Sequence, residues 1–317
     1  MRILMFGRGV IATIYGGLLQ SAGHEVEFYV RPGRASEYGD EVELDLIDAR
    51  RTLLGTRVRH QLRLRMRESL DPDDAFDLIV LSVGHHQLST AAAFLAPRVA
   101  NATVLVFGNV WDEPLDAIRP LPAGQVAFGF PMAGGGFGAD GVLRGALFRG
   151  LILGSAGTSA TSREIAVQTA FRQAGLTPRM EKDLRGWLWL HFIADAGMYA
   201  QGNRTGGLAS MIGDRQALRD ALLTGRELLP VLHARGVDLG RHRRAALPFR
   251  LPTPTAAAMA WATARLPLAH ASLAAHTDPN AAEPQAILRD VLHEVRRLGV
   301  PTPRLDAALS SPSTPAG

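Results

Sequence analysis

Residues 2–6, Arg-Ile-Leu-Met-Phe, form a short apolar run that breaks at Gly7-Arg8-Gly9-Val10-Ile11-Ala12 and resumes as an apolar helical stretch to Leu19. No other segment restricts the fold as strongly. A strand, then G-x-G-x-x-A, then a helix is the context in which this pattern signifies a dinucleotide-binding turn. Gly7 permits the tight turn, Gly9 lets the backbone approach a pyrophosphate, and Ala12 lets the helix lie close on its strand. Arg8, Gly9, Val10 and Ile11 then sit at a helix N-terminus, whose unpaired N–H groups and dipole favour phosphate.

After Gly23, residues 24–30 read as a second strand that ends in Arg31. Chains that bind NAD usually carry an acid about 20 residues past the glycines, where it holds the ribose hydroxyls. Arg31, with Arg34 close behind, suits a 2′-phosphate instead, so the expected cofactor is NADP(H). Residues 77–83 are a further strand that runs through Ser82 and Val83 into Gly84-His85-His86, and residues 102–107 another that ends in Gly108-Asn109. Ligands of open α/β sheets collect at the carboxyl ends of strands. Ser82, Val83, Gly84 and Asn109 therefore join the cofactor-binding candidates.

The first half alternates apolar runs with helical stretches, the pattern of a parallel sheet covered by helices. From residue 183 the texture changes to long helical patterns at 184–201, 214–234, 255–264 and 284–298, with proline-rich 247–254 expected as a connection. The expected division is 1–182 Rossmann domain, 183–309 helical domain and 310–317 disordered tail. The chain of 317 residues has no cysteine, which excludes disulfides and thiolate chemistry. Its net charge of +4 is carried by arginine, with Lys182 the only lysine. Arg57, Arg59, Arg63, Arg65 and Arg67 alternate along a probable strand, but no continuous basic patch with a recognition element argues for nucleic acid. No apolar run spans a bilayer and the chain begins in its first strand, so a cytoplasmic protein with a small-molecule substrate is expected, with a homodimer open.

This layout resembles the ketopantoate reductase family: an N-terminal Rossmann domain, an all-helical C-terminal domain, and an active site between them. Gly7, Gly9, Ala12, Arg31, Asn109, Ser272, Glu283 and residues 298–303 (Leu-Gly-Val-Pro-Thr-Pro) carry the resemblance. It implies that Ser272 and Glu283 contact the substrate and that Asn109 lies near the nicotinamide. Glu283 before Pro284 equally suits a helix first turn, and Ser272 equally suits a cap.

The family's helical lysine, the acid that protonates the new alkoxide, is missing. With Trp189 matched to the family's tryptophan, His191 takes the lysine position, Asp195 follows one turn later and Tyr199 one turn beyond. Spacings of i, i+4 and i+8 put the three polar groups on one face of an apolar helix. With Trp187 as the anchor instead, Trp189 would replace the lysine. The first register is preferred because His191 and Asp195 buried without polar partners would be costly. His191, oriented and kept cationic by Asp195, is then the expected proton donor, since imidazole changes charge near neutrality. The leading expectation is an NADPH-dependent reductase of a carbonyl or imine, on a substrate other than ketopantoate. Trp111, Phe130, Trp187 and Trp189 suggest a bulky or flat ligand. A non-redox acid-base enzyme on the same scaffold and a non-catalytic NADP sensor are the alternatives.

Overall fold

The apolar runs of the first half become strands: β1 (Arg2–Phe6), β2 (Glu25–Tyr29), β3 (Glu41–Asp48), β4 (Thr56–Arg63), β5 (Met66–Arg67), β6 (Leu78–Leu81), β7 (Thr103–Phe107), β8 (Val126–Phe130), β9 (Ala133–Phe137), β10 (Leu143–Leu147), β11 (Gly150–Gly154) and β12 (Thr177–Glu181). The computed structural model describes residues 1–154, 161–274 and 282–310. It separates into two compact units, Met1–Leu184 and Arg185–Gly317. Of the tail expected over 310–317, Ser310 instead ends a helix, and 311–317 lies outside the described residues.

In the N-terminal unit six parallel strands run in the order β5-β2-β1-β6-β7-β8. Antiparallel β11, with β12 parallel to it, extends the β8 edge. Strands β6 and β7 are buried along their whole length, as parallel strands covered on both faces must be. β1 has β2 on one side and β6 on the other, which makes its carboxyl end the point where the winding reverses and where such sheets open a crevice.

A second sheet, β4-β3-β10-β9, was not foreseen in the sequence. It joins segments far apart in the chain, with Leu143 of β10 in register with Leu44 of β3. Helix α1 (Val10–Ser21) is buried continuously from Ala12 to Leu19, and its core partners include Val42, Leu44, Leu62 and Leu143 of this sheet as well as Ile3, Met5 and Phe28 of the first. Two adjacent glycines make the double contact feasible. A Cβ on Gly16 would stand 2.5 Å from Phe28 Cζ, and one on Gly17 would stand 3.0 Å from Leu62 Cδ2.

The alternating arginines of β4 have a local explanation. Arg57 and Arg59 both reach Asp45 of β3, at 2.6 and 2.9 Å, and Arg63 reaches Glu41 at 3.3 Å. These are cross-strand ion pairs on the outer face of the second sheet.

Helices α2 (Ala35–Tyr38), α3 (Leu88–Leu95), α4 (Pro114–Ala117) and α5 (Ser162–Gln173) belong to the first unit, and α6 (Leu184–Thr205) opens the series of helices of the second. The single helix expected over 214–234 is two, α7 (Arg215–Glu227) and α8 (Leu229–Ala234). Pro230 at the start of α8 lacks the N–H that would have continued the ladder. The connection expected over 247–254 is also corrected, because it forms α9 (Leu247–Arg250) and the first turn of α10 (Pro252–Arg265). Pro248, Pro252 and Pro254 sit in first turns, where the missing donors have no intrahelical acceptor to lose. Helices α11 (Pro267–Ala274), α12 (Ala282–Leu298) and α13 (Pro303–Ser310) complete the unit.

Candidate functional site

At the carboxyl end of β1 the chain turns through Gly7, whose φ of +101° only glycine adopts without strain. The turn is pinned by the Gly7 N–H, which donates to Tyr29 O at 2.9 Å. Gly9 is the N-cap of α1, and no side chain caps the helix there. A Cβ on Gly7 or Gly9 would meet nothing within 4 Å, so both glycines border open space. The N–H groups of Val10, Ile11 and Ala12 are thus first-turn donors with no intrahelical acceptor. Arg8 Nε and Ser82 Oγ, at the ends of β1 and β6, are buried atoms without a hydrogen-bond partner. Bare glycines, an uncapped helix and two unsatisfied donors are the features expected of a site for a phosphorylated group.

The other candidates of this unit lie at neighbouring strand ends. Val83, Gly84 and His85 are half-buried after β6, with His85 and His86 edge to face at 5.6 Å between ring centroids. Asn109, 8% exposed, follows β7 directly. Arg31 after β2 is exposed, whereas Arg34 pairs with Glu37 at 2.7 Å and donates to Tyr38 Oη at 3.1 Å.

In the helical unit α6 carries the predicted polar face. His191, Ala194, Asp195, Met198 and Tyr199 form a half-buried stripe, while Phe192, Ile193, Ala196 and Ala200 of the same helix are buried. His191 Nε2 is 3.4 Å from Asp195 Oδ1, and the imidazole lies parallel to the Trp187 ring at 5.3 Å. Burial pushes the Tyr199 hydroxyl well above the usual tyrosine range, and the carboxylates of Asp195 and Glu283 push it further. Asp195, Tyr199 and Glu283 are thereby one electrostatic group, which brings Glu283, in the first turn of α12, to the α6 face. Ser272 does not join them by hydrogen bond; its hydroxyl donates to Ala269 O at 2.8 Å, which leaves it an acceptor.

Trp189 corrects one expectation. It is 1% exposed, with the Arg235 guanidinium 3.6 Å and that of Arg185 4.8 Å from its ring centroid. A side chain so enclosed belongs to the core of its unit and offers no ligand surface, and Trp111 is likewise buried.

A family model described as ketopantoate reductase PanE/ApbA matches residues 3–155, most of the first unit. The match stops short of half of the chain and covers no part of the second unit. Solved ketopantoate reductases share the fold of the whole chain. A PanE/ApbA family ketopantoate reductase from Ralstonia eutropha JMP134 superimposes with a TM-score of 0.64 at 20% identity, over 97% of this chain and 96% of that one. The 2-dehydropantoate 2-reductase from Geobacter metallireducens GS-15 gives 0.66 at 17% identity, over 97% of each. D-mandelate dehydrogenase, in a ternary structure with NADH and anilino(oxo)acetate, gives 0.67 at 17% identity, over 97% and 96%. A search of curated protein sequences found no match. No helix among the described residues is long and apolar enough to cross a membrane.

Two aromatic residues that carry no motif in the sequence stand beside the glycine turn. Tyr38 and Phe137 flank the Arg8 guanidinium at 5.0 and 4.3 Å from their ring centroids. Tyr38 follows Arg34 at i+4, a spacing visible in the sequence. Phe137 arrives on β9 of the second sheet and has no local signal.

Proposed function

We propose that this chain is an NADPH-dependent reductase of a carbonyl or imine in a small or medium-sized substrate other than ketopantoate. The observation that carries the reading is the His191–Asp195 pair, held on the half-buried face of an otherwise apolar helix and joined electrostatically to Tyr199 and Glu283. Polar side chains are not kept on such a face at no cost, and a proton-transfer site gives them a use. The glycine turn with its two unsatisfied donors supports the dinucleotide half of the reading, and the NADH reported in D-mandelate dehydrogenase supports the same class. The phosphorylated form rests on Arg31 and Arg34.

Gly7, Arg8, Gly9, Val10, Ile11 and Ala12 would hold the pyrophosphate, Ser82, Val83 and Gly84 would border the dinucleotide, and Asn109 would hydrogen-bond the nicotinamide or the substrate. The bound reduced nicotinamide supplies a hydride. His191, at the position where the family carries its lysine, holds the proton that the developing oxyanion or nitrogen takes up. Asp195 orients the ring through Nε2, and stacking on Trp187 fixes the ring plane. The Tyr199 hydroxyl stays protonated at working pH and donates a hydrogen bond, while Glu283 and the Ser272 oxygen orient the substrate's polar end. Because His191 lies on α6, outside the residues proposed to hold the dinucleotide, His191→Ala should lower kcat by about a hundredfold or more and leave the NADPH Kd within about threefold. Aromatic 2-oxo acids are the first substrates to try, given anilino(oxo)acetate in the D-mandelate dehydrogenase structure. An unchanged kcat in H191A would remove the assigned role, and turnover without loss of nicotinamide absorbance would replace the reductase by an acid-base enzyme.

A further inference from the structure

No aspartate or glutamate occurs between Asp238 and Asp278, while five arginines do. Arg241 pairs back to Asp238 at 3.4 Å. The guanidinium groups of Arg243, Arg244, Arg250 and Arg265 are on exposed residues and make no ion pair or hydrogen bond among the described residues. Helical turns run through this stretch without a break, since Ala246, Arg250, Leu251 and Thr255 donate their N–H groups to the carbonyls of His242, Ala246, Leu247 and Leu251. One side of these turns, with His242, Ala246, Phe249 and Ala256, is buried. The opposite side bears Leu247 and Leu251, each 49% exposed, and continues in steps of three and four residues through Pro254 and Ala258 to Trp261, 58% exposed.

Beside Leu251, Thr253 borders a concavity of about 450 Å³ whose other walls are Arg215, Gln216 and Arg219 of α7. Arg219 Nε donates to Thr253 Oγ1 at 3.1 Å, which ties the two helices together at this point, and Arg215 has no ion pair among the described residues. Like charges one helical turn apart repel. The acids of the same helix end are engaged: Asp214 accepts from the Gln216 and Ala217 N–H groups, and Asp220 from the Gln216 side-chain amide. Protruding apolar side chains and uncompensated guanidinium groups thus share one surface of the helical unit.

Three occupants differ in what they require. A second copy in a two-fold dimer would lay this surface on itself and bring arginines together with no acid between them. The centre of a protein interface is depleted of charge and the charges form its rim, yet here Arg250 lies between Leu247 and Leu251. Apolar anchors interleaved with cations suit a lipid bilayer, where the anchors enter the acyl boundary and the guanidinium groups stay at the level of the phosphates. We propose that the outer face of α9 and α10 docks on an anionic phospholipid surface, with Leu247, Leu251 and Trp261 as anchors and the concavity between Arg215 and Arg219 as the seat of one headgroup phosphate. The proposal is independent of the reductase reading.

Sedimentation of the full-length protein with vesicles tests it. Vesicles of equal parts phosphatidylcholine and phosphatidylglycerol should bind at least about tenfold more tightly than phosphatidylcholine alone. Trp111, Trp187 and Trp189 are buried, so a blue shift of tryptophan emission on binding reports Trp261; Trp261→Phe should abolish the shift and keep the binding. Arg243→Gln with Arg250→Gln should weaken binding about fivefold for each charge removed, and Leu251→Ser should weaken it too, all with an unchanged melting temperature because these side chains are exposed. Equal binding to both vesicles, undiminished binding of the arginine variant, or bound protein without the emission shift would overturn the proposal. A dimer in light scattering that the same variants dissociate would overturn it in favour of a second copy, and absence of vesicle binding with capture of an acidic protein would overturn it in favour of a protein partner.

Discussion

Asp45 sits with its side chain 4% exposed under two arginines that are themselves more than half exposed. Hydrogen bonds from Arg57, then from Arg59, hold its carboxyl below the usual carboxylate range against the opposing effect of burial. A carboxyl whose folded pKa is depressed stabilises the native state above its unfolded value, near pH 4, and that contribution disappears as pH falls toward the depressed value. Asp45→Asn should therefore cost roughly 2 kcal/mol at pH 7, the range for charge-assisted hydrogen bonds, and flatten the stability curve below pH 4; urea titrations from pH 7 to pH 2.5 measure both. Trp189 offers a harsher test at the same scale. Its ring is packed under Arg235, whose Nε is 3.5 Å from Glu294, and Glu294 is clasped by Arg297 at 2.7 Å. Trp189→Ala should cost about 4 kcal/mol and leave the Arg235 charge without its aromatic cover. A loss below about 1 kcal/mol in denaturant unfolding would contradict the packing.

Helix α1 follows the glycine turn and is gripped by two sheets, and its glycine pair separates two kinds of contact. Alanine normally stabilises a helix by about 1 kcal/mol over glycine. At Gly16 the added methyl meets Phe28, a ring that is wholly buried, and overpacking of roughly 1–3 kcal/mol outweighs the gain. At Gly17 it meets the Leu62 Cδ2 methyl, the far end of a flexible side chain. Gly16→Ala should thus lower Tm by several degrees while Gly17→Ala stays close to wild type, a contrast that differential scanning calorimetry reads directly. The first contact was foreseeable, since β1, the glycine turn, α1 and β2 follow one another within thirty residues and each leaves its own periodic trace. The second sheet left only the alternation of β4, because pairing Leu44 with Leu143 depends on distant segments that carry no shared local signal. The three prolines of 247–254 misled for a physical reason: proline interrupts a helix but also begins one, and only the neighbouring geometry decides between them. On α6 the i, i+4, i+8 spacing exposed His191, Asp195 and Tyr199 in the sequence, whereas the approach of Glu283 from α12 required the fold.

For the whole molecule, the shared fold at 17–20% identity means that apolar pattern and turn chemistry, more than particular side chains, specify this architecture. Function is argued separately from the fold, from the residues of the site. A ligand that binds only the folded protein stabilises it by about 2.7 kcal/mol at a hundred times its Kd. NADPH at that level should raise the melting temperature by several degrees, and no shift at millimolar NADPH would refute the cofactor assignment. The two-sided enclosure of α1 has a kinetic counterpart. Its backbone is screened from solvent by a sheet on each flank, so its amide hydrogens can trade with deuterium only when the surrounding unit opens. Peptides spanning 10–21 should stay unlabelled longer than those of β4 at the rim, even in nucleotide-free protein. On the proposed reading, the glycine turn is then held rigid before any dinucleotide arrives.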